Sequence, residues 1–301
     1  MTSRYRGGAG ALCLALLLMH GCGGGGGGGG GGETNSGVGI GSGAGGGSMP
    51  IPAALTPGTS WNWQLDSGDI DQTVLDSVVN DKKMYDIDME STSAVTISQL
   101  KAKGIYVICY IEVGSYNNQR ADAFKFTSVP GLIGKPLVGY TNESWVDVRR
   151  TDVLMSIMNS RLDQAQSKGC QGIEPDLDDS YTQDTGFPLI QNDSVAYLAL
   201  LVQAAHARGL SMGLKNGPAM AARLASLVDW ALNEECNRFA ECDGYKAFIV
   251  LNKAVFQVEF TSNGTTTSQF CPADNAASFD GLLKQSSQTL GALPRTACRF
   301  E

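Results

Sequence analysis

Short β-rich runs alternate with amphipathic helical stretches through most of this 301-residue chain. Eight runs are strand-like, because they are rich in β-branched and aromatic residues and are bounded by turn formers. The stretches between them repeat apolar residues at helical spacing, as Val153, Ile157 and Leu162 do. This alternation predicts α/β architecture with a parallel sheet. Eight strands favour a (β/α)8 TIM barrel, and a doubly wound open sheet is the alternative.

The predicted elements are defined by residue range. The strands are Trp61–Leu65, Met84–Asp88, Ile105–Val113, Trp145–Val148, Gly172–Asp176, Leu210–Lys215, Val228–Glu234 and Val255–Phe260. The helices are Ile70–Asn80, Ile97–Lys103, Val153–Lys168, Asp193–Arg208 and Met220–Leu227. No G-x-G-x-x-G motif follows an early strand, so the dinucleotide-binding form of the open sheet has no support.

A glycine-rich segment precedes these elements. Of the 38 glycines, 22 lie in the first 58 residues, including an unbroken run from Gly23 to Gly32. Such a segment buries too little apolar surface to offset the entropy lost on ordering. We therefore predict a disordered linker over residues 22–58 and one domain over residues 59–301, a size typical of a TIM barrel.

The first 21 residues have the organisation of an export signal. Arg4 and Arg6 precede an apolar stretch, Ala11 to Met19, that is too short to span a bilayer. Cys22 follows, and the segment resembles a bacterial lipoprotein signal with Cys22 as the lipidated residue. We expect export, with the protein lipid-anchored to a bacterial membrane, foremost the outer membrane, or secreted. An unprocessed segment is the remaining alternative.

Charge and histidine content exclude several classes of function. The chain has 22 basic and 30 acidic residues, a net charge of −8, so it is a poor partner for nucleic acid. It has two histidines, of which His206 ends a predicted helix. This scarcity argues against histidine-based metal sites and leaves carboxylates as the source of acid–base chemistry. We predict no metal and no cofactor.

Six cysteines fall in the predicted domain. We predict disulfides that join Cys236 to Cys242 and Cys271 to Cys298, which suits an oxidising compartment. Cys109 and Cys170 lie in or beside apolar strand-like runs and are interpreted as buried thiols. A zinc site has little support, because the six cysteines form no C-x-x-C motif.

Nearly every predicted strand ends in acids or amides. In a TIM barrel, the active site lies at the carboxyl ends of the strands. The sequence therefore predicts an acidic cup, with contributions from Asp86, Glu112, Glu174 and Asp176. Strand alternation puts Glu174 and Asp176 on one face. Aromatic residues rim this cup, and we expect Trp63 and Tyr181 to be platforms for sugar rings.

A second carboxylate comes from the run Asn233-Glu-Glu-Cys236 at another strand end. Glycoside cleavage needs two carboxyl groups, one to protonate the leaving oxygen and one to attack or to activate water. The sequence does not decide whether Glu234 or Glu235 points inward.

The chain resembles glycoside hydrolase family 114 along almost the whole domain. The matching blocks include Trp63-Gln64, Tyr85-Asp-Ile-Asp88, Cys109-Tyr-Ile-Glu-Val-Gly-Ser115, Trp145-Val-Asp-Val-Arg149, Gly172-Ile-Glu-Pro-Asp176, Gly213-Leu-Lys-Asn216, Asn233-Glu-Glu-Cys236 and Phe256-Gln-Val-Glu-Phe260. The resemblance implies a TIM barrel that cuts α-1,4-linked galactosamine polymers internally. It also implies Asp176 and Glu234 as the catalytic pair.

The expected partner is a galactosamine-containing polysaccharide, which is cationic and would be attracted by an acidic cup. Any membrane contact would be through the lipid on Cys22, and we expect a monomer. The predicted substrate-binding residues are Trp63, Asp86, Asp88, Tyr110, Asp147, Glu174, Asp179, Tyr181, Lys215, Asn216 and Glu259.

Two alternative functions remain at the level of the sequence. Lys215 ends a strand, where a Schiff-base lyase could hold its lysine. A sugar-binding lipoprotein without catalysis is the other. The chain departs from the family pattern at Gln171, Asn118 and the run Asp176-Leu-Asp-Asp179, which puts substrate contacts in doubt.

Overall fold

The computed structural model describes residues 53–66, 68–77 and 82–299. The predicted signal peptide, Cys22 and most of the predicted linker lie outside the described residues. Packing begins a little before the predicted boundary at Thr59, because Leu55 is buried and its carbonyl accepts a hydrogen bond from the Ala254 N–H. In this part of the chain, no helix is both long and apolar enough to cross a membrane.

Strands and helices alternate along the described chain. The strands are β1 Trp61–Gln64, β2 Met84–Asp88, β3 Tyr106–Glu112, β4 Ser115–Asn117, β5 Ile133–Pro136, β6 Glu143–Val146, β7 Gly172–Asp176, β8 Ser211–Lys215, β9 Trp230–Glu234, β10 Val255–Phe260, β11 Asp280–Lys284 and β12 Thr296–Ala297. The helices are α1 Gln72–Ser77, α2 Ala94–Ala102, α3 Ala123–Thr127, α4 Thr151–Lys168, α5 Gln191–His206, α6 Pro218–Leu224, α7 Lys246–Val250 and α8 Thr267–Ala277.

The main sheet has the order β1-β2-β3-β7-β8-β9-β10-β11-β12, in which the first eight strands are parallel and β12 is antiparallel to β11. The sheet is curled, so that its two edges approach each other. Trp61 Nε1 donates to the Asp280 carbonyl at 2.8 Å, and the Leu65 N–H donates to the Leu290 carbonyl at 2.8 Å. The architecture is mixed α/β and resembles a TIM barrel.

Two layers of core follow from strand alternation. Side chains on the concave face fill the interior of the curled sheet, including Trp61, Trp230 and Phe256. Gly213 makes room for Trp230, since a Cβ at this position would lie only 2.4 Å from the indole ring. Residues on the other face pack against the helices, as Ile173 does in the outer cluster. The acids that lie on the inner face at the carboxyl ends of these parallel strands therefore come together at one end of the sheet.

One predicted strand lies in a different sheet from the one expected. The range Trp145–Val148 was expected in the parallel sheet, but β6 lies in a separate antiparallel sheet of order β4-β6-β5. This insertion connects β3 to α4. The eighth parallel strand is β11, whose short run Asp280-Gly-Leu-Leu-Lys284 has little β-branched or aromatic character. Burial between β10 and the C-terminal segment makes it a strand despite this weak local signal.

Three disulfides are present among the described residues. The bridges Cys236–Cys242 and Cys271–Cys298 agree with prediction. The interpretation of Cys109 and Cys170 as buried thiols is wrong, because they form a third bridge. Cys109 lies on the outer face of β3, and Cys170 lies two residues before the start of the neighbouring β7. Only the pairing of β3 with β7, which the sequence does not specify, brings these two residues together.

We expect the double substitution Cys109→Ala with Cys170→Ala to lower the free energy of unfolding by roughly 4 kcal/mol, because the bridge closes a long loop. The pair Cys236→Ala with Cys242→Ala closes a loop of only 6 residues and is the matched control, with an expected loss about 2 kcal/mol smaller. Urea unfolding measures both values. Equal losses would contradict the loop-length explanation.

Asp274 is a buried acid in the layer between β11 and α8. It is 1% exposed, its Oδ1 accepts a hydrogen bond from Asn237 Nδ2 at 2.8 Å, and its Oδ2 has no partner among the described residues. Burial raises the pKa of Asp274 to about 7, against which the Asn237 hydrogen bond acts weakly. The folded protein therefore keeps a proton on this group that the unfolded chain releases near pH 4.

This raised pKa predicts that the free energy of unfolding falls as pH rises from about 4 to about 7, where the folded state binds more protons than the unfolded state. Asp274→Asn should remove this part of the pH dependence. It should stabilise the protein at pH 8, relative to wild type, by an amount on the order of 3 kcal/mol. Unfolding curves at pH 5 and pH 8 give the comparison. Parallel pH profiles for both proteins would refute it.

Candidate active site

Lys215 lies at the centre of a buried cluster at the carboxyl ends of β7, β8 and β9. Its Nζ donates to Glu174 Oε1 at 2.6 Å and to Asp176 Oδ1 at 3.0 Å, and it lies 3.6 Å from Glu234 Oε2. It also lies 4.7 Å from the centre of the Trp63 ring. The side chains of Lys215 and its three carboxylate partners are each at most 4% exposed. One ammonium therefore joins three acids from two strands.

Lys215 is held as an ammonium ion. Burial alone would lower its pKa, but the charges of Asp176, Glu174 and Glu234 raise the pKa well above the ordinary value. A Schiff-base lysine must lose its proton before it can attack a carbonyl. Lys215, which the sequence predicts as a substrate-binding residue, lies in this buried cluster, and its charged state argues against the lyase alternative.

Asp176 is the ionised acid of the cluster. Burial would raise its pKa, yet the Lys215 ammonium opposes this effect, and the pKa lies well below the usual value. Tyr110 supports the same charge, because its hydroxyl donates to Asp176 Oδ2 at 2.9 Å. An ionised carboxylate at the mouth of the sheet is suited to attack a carbon that develops positive charge.

One carboxyl oxygen of Glu234 has no hydrogen-bond partner among the described residues. Asn216 fixes the residue at two points: its Oδ1 accepts from the Glu234 N–H at 2.9 Å, and its Nδ2 donates to Glu234 Oε2 at 3.3 Å. Glu234 Oε1 is buried and lacks a hydrogen bond to any described residue. Because Lys215 lies near both acids, Asp176 Oδ1 and Glu234 Oε2 are no farther apart than the sum of their two distances to Nζ.

The structure distinguishes Glu234 from its neighbour. Glu235 has a positive φ of 61° and directs its carboxylate to Arg238 Nη1 at 2.8 Å and to Asn263. This left-handed residue turns the chain away from the strand. Glu234 is therefore the acid that lies with Lys215 in the cluster.

Asp86 and Trp63 surround Glu174. The prediction that Trp63 is a platform for a sugar ring is wrong, because its ring is fully buried in the interior of the sheet and its Nε1 donates to Glu174 Oε2 at 2.9 Å. Asp86 is fully buried on the adjacent β2, and burial together with the charge of Glu174 raises its pKa well above the usual range. Burial also raises the pKa of Glu174, although Lys215 opposes the effect. The two acids therefore retain one proton between them.

A second group of acids lies beside this cluster, around Arg120. The guanidinium binds Asp88 Oδ2 and Glu112 Oε1, each at 2.7 Å. Glu143, on β6, accepts a hydrogen bond from Ser115 Oγ at 3.0 Å. Burial and then the charge of Glu112 raise the pKa of Glu143 to about 7. Sequence reasoning missed Glu143 because it belongs to the insertion and not to a parallel strand.

Three predicted site residues lie in other surroundings. Asp147 pairs with Arg149, whose Nη2 is 2.8 Å from Asp147 Oδ2. Glu259 lies on the outer face of β10, where its Oε1 accepts from the Asn237 N–H at 3.0 Å. Tyr181 is partly buried against the outer core, and its hydroxyl accepts from Gln191 Nε2 at the start of α5. The structure does not bring Asp147, Glu259 or Tyr181 into contact with Lys215.

Asp179 and its neighbour Asp178 are buried just beyond β7. Asp178 Oδ2 accepts from the backbone N–H of Lys215 at 3.1 Å. Burial and the charge of Asp179 raise the pKa of Asp178 well above the usual value. Asp179 packs near Gly217, which follows Asn216. These two acids support the end of β8 from outside the cluster.

Comparisons with known proteins point to one family. The model for glycoside hydrolase family GH114 matches residues 49–299. The chain is similar to Ega3 of Aspergillus fumigatus, solved in complex with galactosamine, with 32% identity, a TM-score of 0.74, and coverage of 83% of this chain and 99% of that one. No curated protein matches.

The glycoside hydrolase domain of PelA from Pseudomonas aeruginosa is similar in fold, with 11% identity, a TM-score of 0.57, and coverage of 76% of this chain and 95% of that one. The GH114 match extends from before Leu55 to the end of the described chain and contains every residue of the Lys215 cluster. The chain therefore belongs to glycoside hydrolase family GH114 and is a glycoside hydrolase.

Proposed function

We propose that this protein is an endo-acting hydrolase of α-1,4-linked galactosamine polymers and that Asp176 and Glu234 are its catalytic pair. The observation that carries the proposal is the shared contact of both acids with Lys215 at one end of the sheet. The likeness to Ega3, which was solved with galactosamine, supports the sugar. The acids around Arg120 and the net charge of −8 favour a cationic polymer.

The two acids have different roles in the proposed mechanism. Asp176 attacks the anomeric carbon and forms a covalent glycosyl-enzyme, while the bond to the leaving sugar breaks. Glu234 enters the step protonated and gives its proton to the leaving oxygen. Water then adds to the anomeric carbon, Glu234 takes a proton from it, and Asp176 is released. The pair returns to its starting state with one glycosidic bond hydrolysed.

Lys215 and Tyr110 are positioning residues in this scheme. Their hydrogen bonds stabilise the charge of Asp176 and so keep the proposed nucleophile ionised. Asn216 fixes the Glu234 carboxyl through Oε2 and leaves Oε1 for the leaving oxygen. Pairs of acids in unlike environments are the usual basis for separate acid and nucleophile roles.

We propose retention of configuration, because the ionised Asp176 is suited to attack as the nucleophile. Retaining glycosidases hold their two carboxyls about 5–5.5 Å apart, whereas inverting enzymes need about 6.5–9.5 Å to admit a water. The distances of 3.0 Å and 3.6 Å from Lys215 Nζ to Asp176 and Glu234 set an upper limit on the separation of these oxygens, and that limit includes the retaining spacing.

We therefore expect the first product formed from an α-linked oligomer to be the α-anomer. Proton NMR during the first minutes of cleavage, before mutarotation, distinguishes the anomers by the coupling of the anomeric proton. A β-anomer as first product would exclude Asp176 as nucleophile and would require a water between the two acids.

Removal of either carboxylate should slow cleavage severely. We expect Asp176→Asn and Glu234→Gln each to lower kcat on partially deacetylated galactosaminan by roughly 10²–10⁴-fold, because the first deletes the proposed nucleophile and the second the proposed general acid. Reducing-end release measures the rate, and circular dichroism checks the fold. Glu235→Gln is the matched control, since this carboxylate faces Arg238 and Asn263, and it should retain activity. Wild-type rates in Asp176→Asn or Glu234→Gln would refute the assignment.

We further propose that the protein is exported and either lipid-anchored through Cys22 or secreted. Three disulfides in the described chain support an oxidising compartment. Substitution of Cys22 by alanine would release a lipid-anchored protein from the membrane fraction, whereas a secreted protein would be unaffected.

A further inference from the structure

A single hydrogen bond joins two loops that are far apart in the sequence. Gln288 Nε2 donates to the Tyr140 hydroxyl at 2.5 Å, across 148 residues. Tyr140 lies between β5 and β6 in the insertion, and Gln288 lies in the loop after β11. We call this pair of side chains the strap.

The strap crosses the mouth of the curled sheet. The insertion leaves β3 and returns to β7, the third and fourth strands in the sheet, whereas Gln288 follows β11, the eighth. In an eight-stranded ring, the fourth and eighth strands face each other across the diameter. The edge contacts of Trp61 with Asp280 and of Leu65 with Leu290 bring this sheet close to such a ring.

Tyr140 lies close to the catalytic acids. Its ring packs against the cluster of Leu137, Trp145 and Leu177, and Leu177 directly follows Asp176. Burial, followed by the charges of Glu234 and Asp176, raises the pKa of the Tyr140 phenol above its ordinary value. The phenol is therefore within the electric field of both carboxylates, and it stays protonated.

Each loop is anchored by its own hydrogen bonds, whereas the strap joins the two loops through one hydrogen bond in the described part of the chain. The N–H of Tyr140 donates to the Leu137 carbonyl at 3.2 Å, which fixes the turn before β6. In the other loop, the Ser262 N–H donates to the Gln285 carbonyl at 2.9 Å, and the Gln288 N–H donates to Ser286 Oγ at 3.0 Å. The bond between Tyr140 and Gln288 joins two neutral groups in contact with solvent, so it contributes little net free energy and opens readily.

We propose that the strap selects between chain ends and chain interiors of the polysaccharide, and that Tyr140 and Gln288 therefore determine length specificity. An internal segment of a long chain has no free end to pass beneath the strap, so the bond must open before the segment reaches Asp176 and Glu234. A short oligomer can enter lengthwise with the strap closed. This inference rests on the proposed hydrolysis of galactosamine polymers.

Gln288→Ala removes the strap and leaves the catalytic acids intact. We expect kcat/KM on high-mass, partially deacetylated α-1,4-galactosaminan to rise about two- to ten-fold, because the open state no longer competes with a closed one. With an α-1,4-galactosamine hexamer, kcat/KM should remain close to the wild-type value. Tyr140→Phe keeps the ring and removes the acceptor, so it should reproduce the polymer-specific gain.

Gln285→Ala is the matched control, because it makes the same substitution in the same exposed loop without touching the strap. It should leave the ratio of polymer to hexamer rates unchanged. The strap proposal fails if Gln288→Ala and Tyr140→Phe keep the wild-type ratio, or if they change both substrates by the same factor. If the wild-type enzyme cleaves neither substrate, the proposed function fails instead, so the two failures are distinguishable.

Discussion

The buried ammonium of Lys215 is the interaction on which the site depends. Two carboxylates from β7 and one from β9 could not lie ionised side by side in a dry interior, because their repulsion and the loss of hydration would oppose folding. The charge of Lys215 offsets part of this free-energy cost, and the proton retained by Asp86 and Glu174 offsets a further part. The result is a cluster in which Asp176 is ionised while the neighbouring Asp86 and Glu174 hold a proton.

The fold delivers these residues through simple geometry. In parallel strands, alternate side chains share a face, so Glu174, Asp176, Lys215 and Glu234 all project to the inside of the curled sheet near its carboxyl end. Large aromatics such as Trp63 and Trp230 fill the interior below and exclude water. Exclusion of water strengthens each hydrogen bond to the acids. The arrangement of the proposed catalytic residues thus follows from strand register and from the aromatic packing inside the sheet.

Much of this was predictable from local sequence, and the exceptions have physical causes. The strands Met84–Asp88, Gly172–Asp176 and Val255–Phe260 have the predicted bounds, because each combines β-rich residues with a clear polar end. The insertion strand at Trp145 has equally good local character, and only pairing with β4 and β5 separates it from the parallel sheet. Glu143, Tyr140 and Gln288 escaped notice for the same reason, since tertiary packing alone brings them to the site.

The edge of the sheet next to β1 is closed by the last part of the chain. Leu290 and Arg295 each bind backbone groups of the β1 region, and Cys298 is linked to Cys271 on α8. The terminal segment is thereby tied to the body of the domain by a bond that forms only where thiols are oxidised. A chain newly made in a reducing cytoplasm would lack the disulfide between Cys271 and Cys298. Under the proposed export, completion of the curled sheet would coincide with arrival outside the cell membrane, where the proposed polysaccharide substrate would first be met.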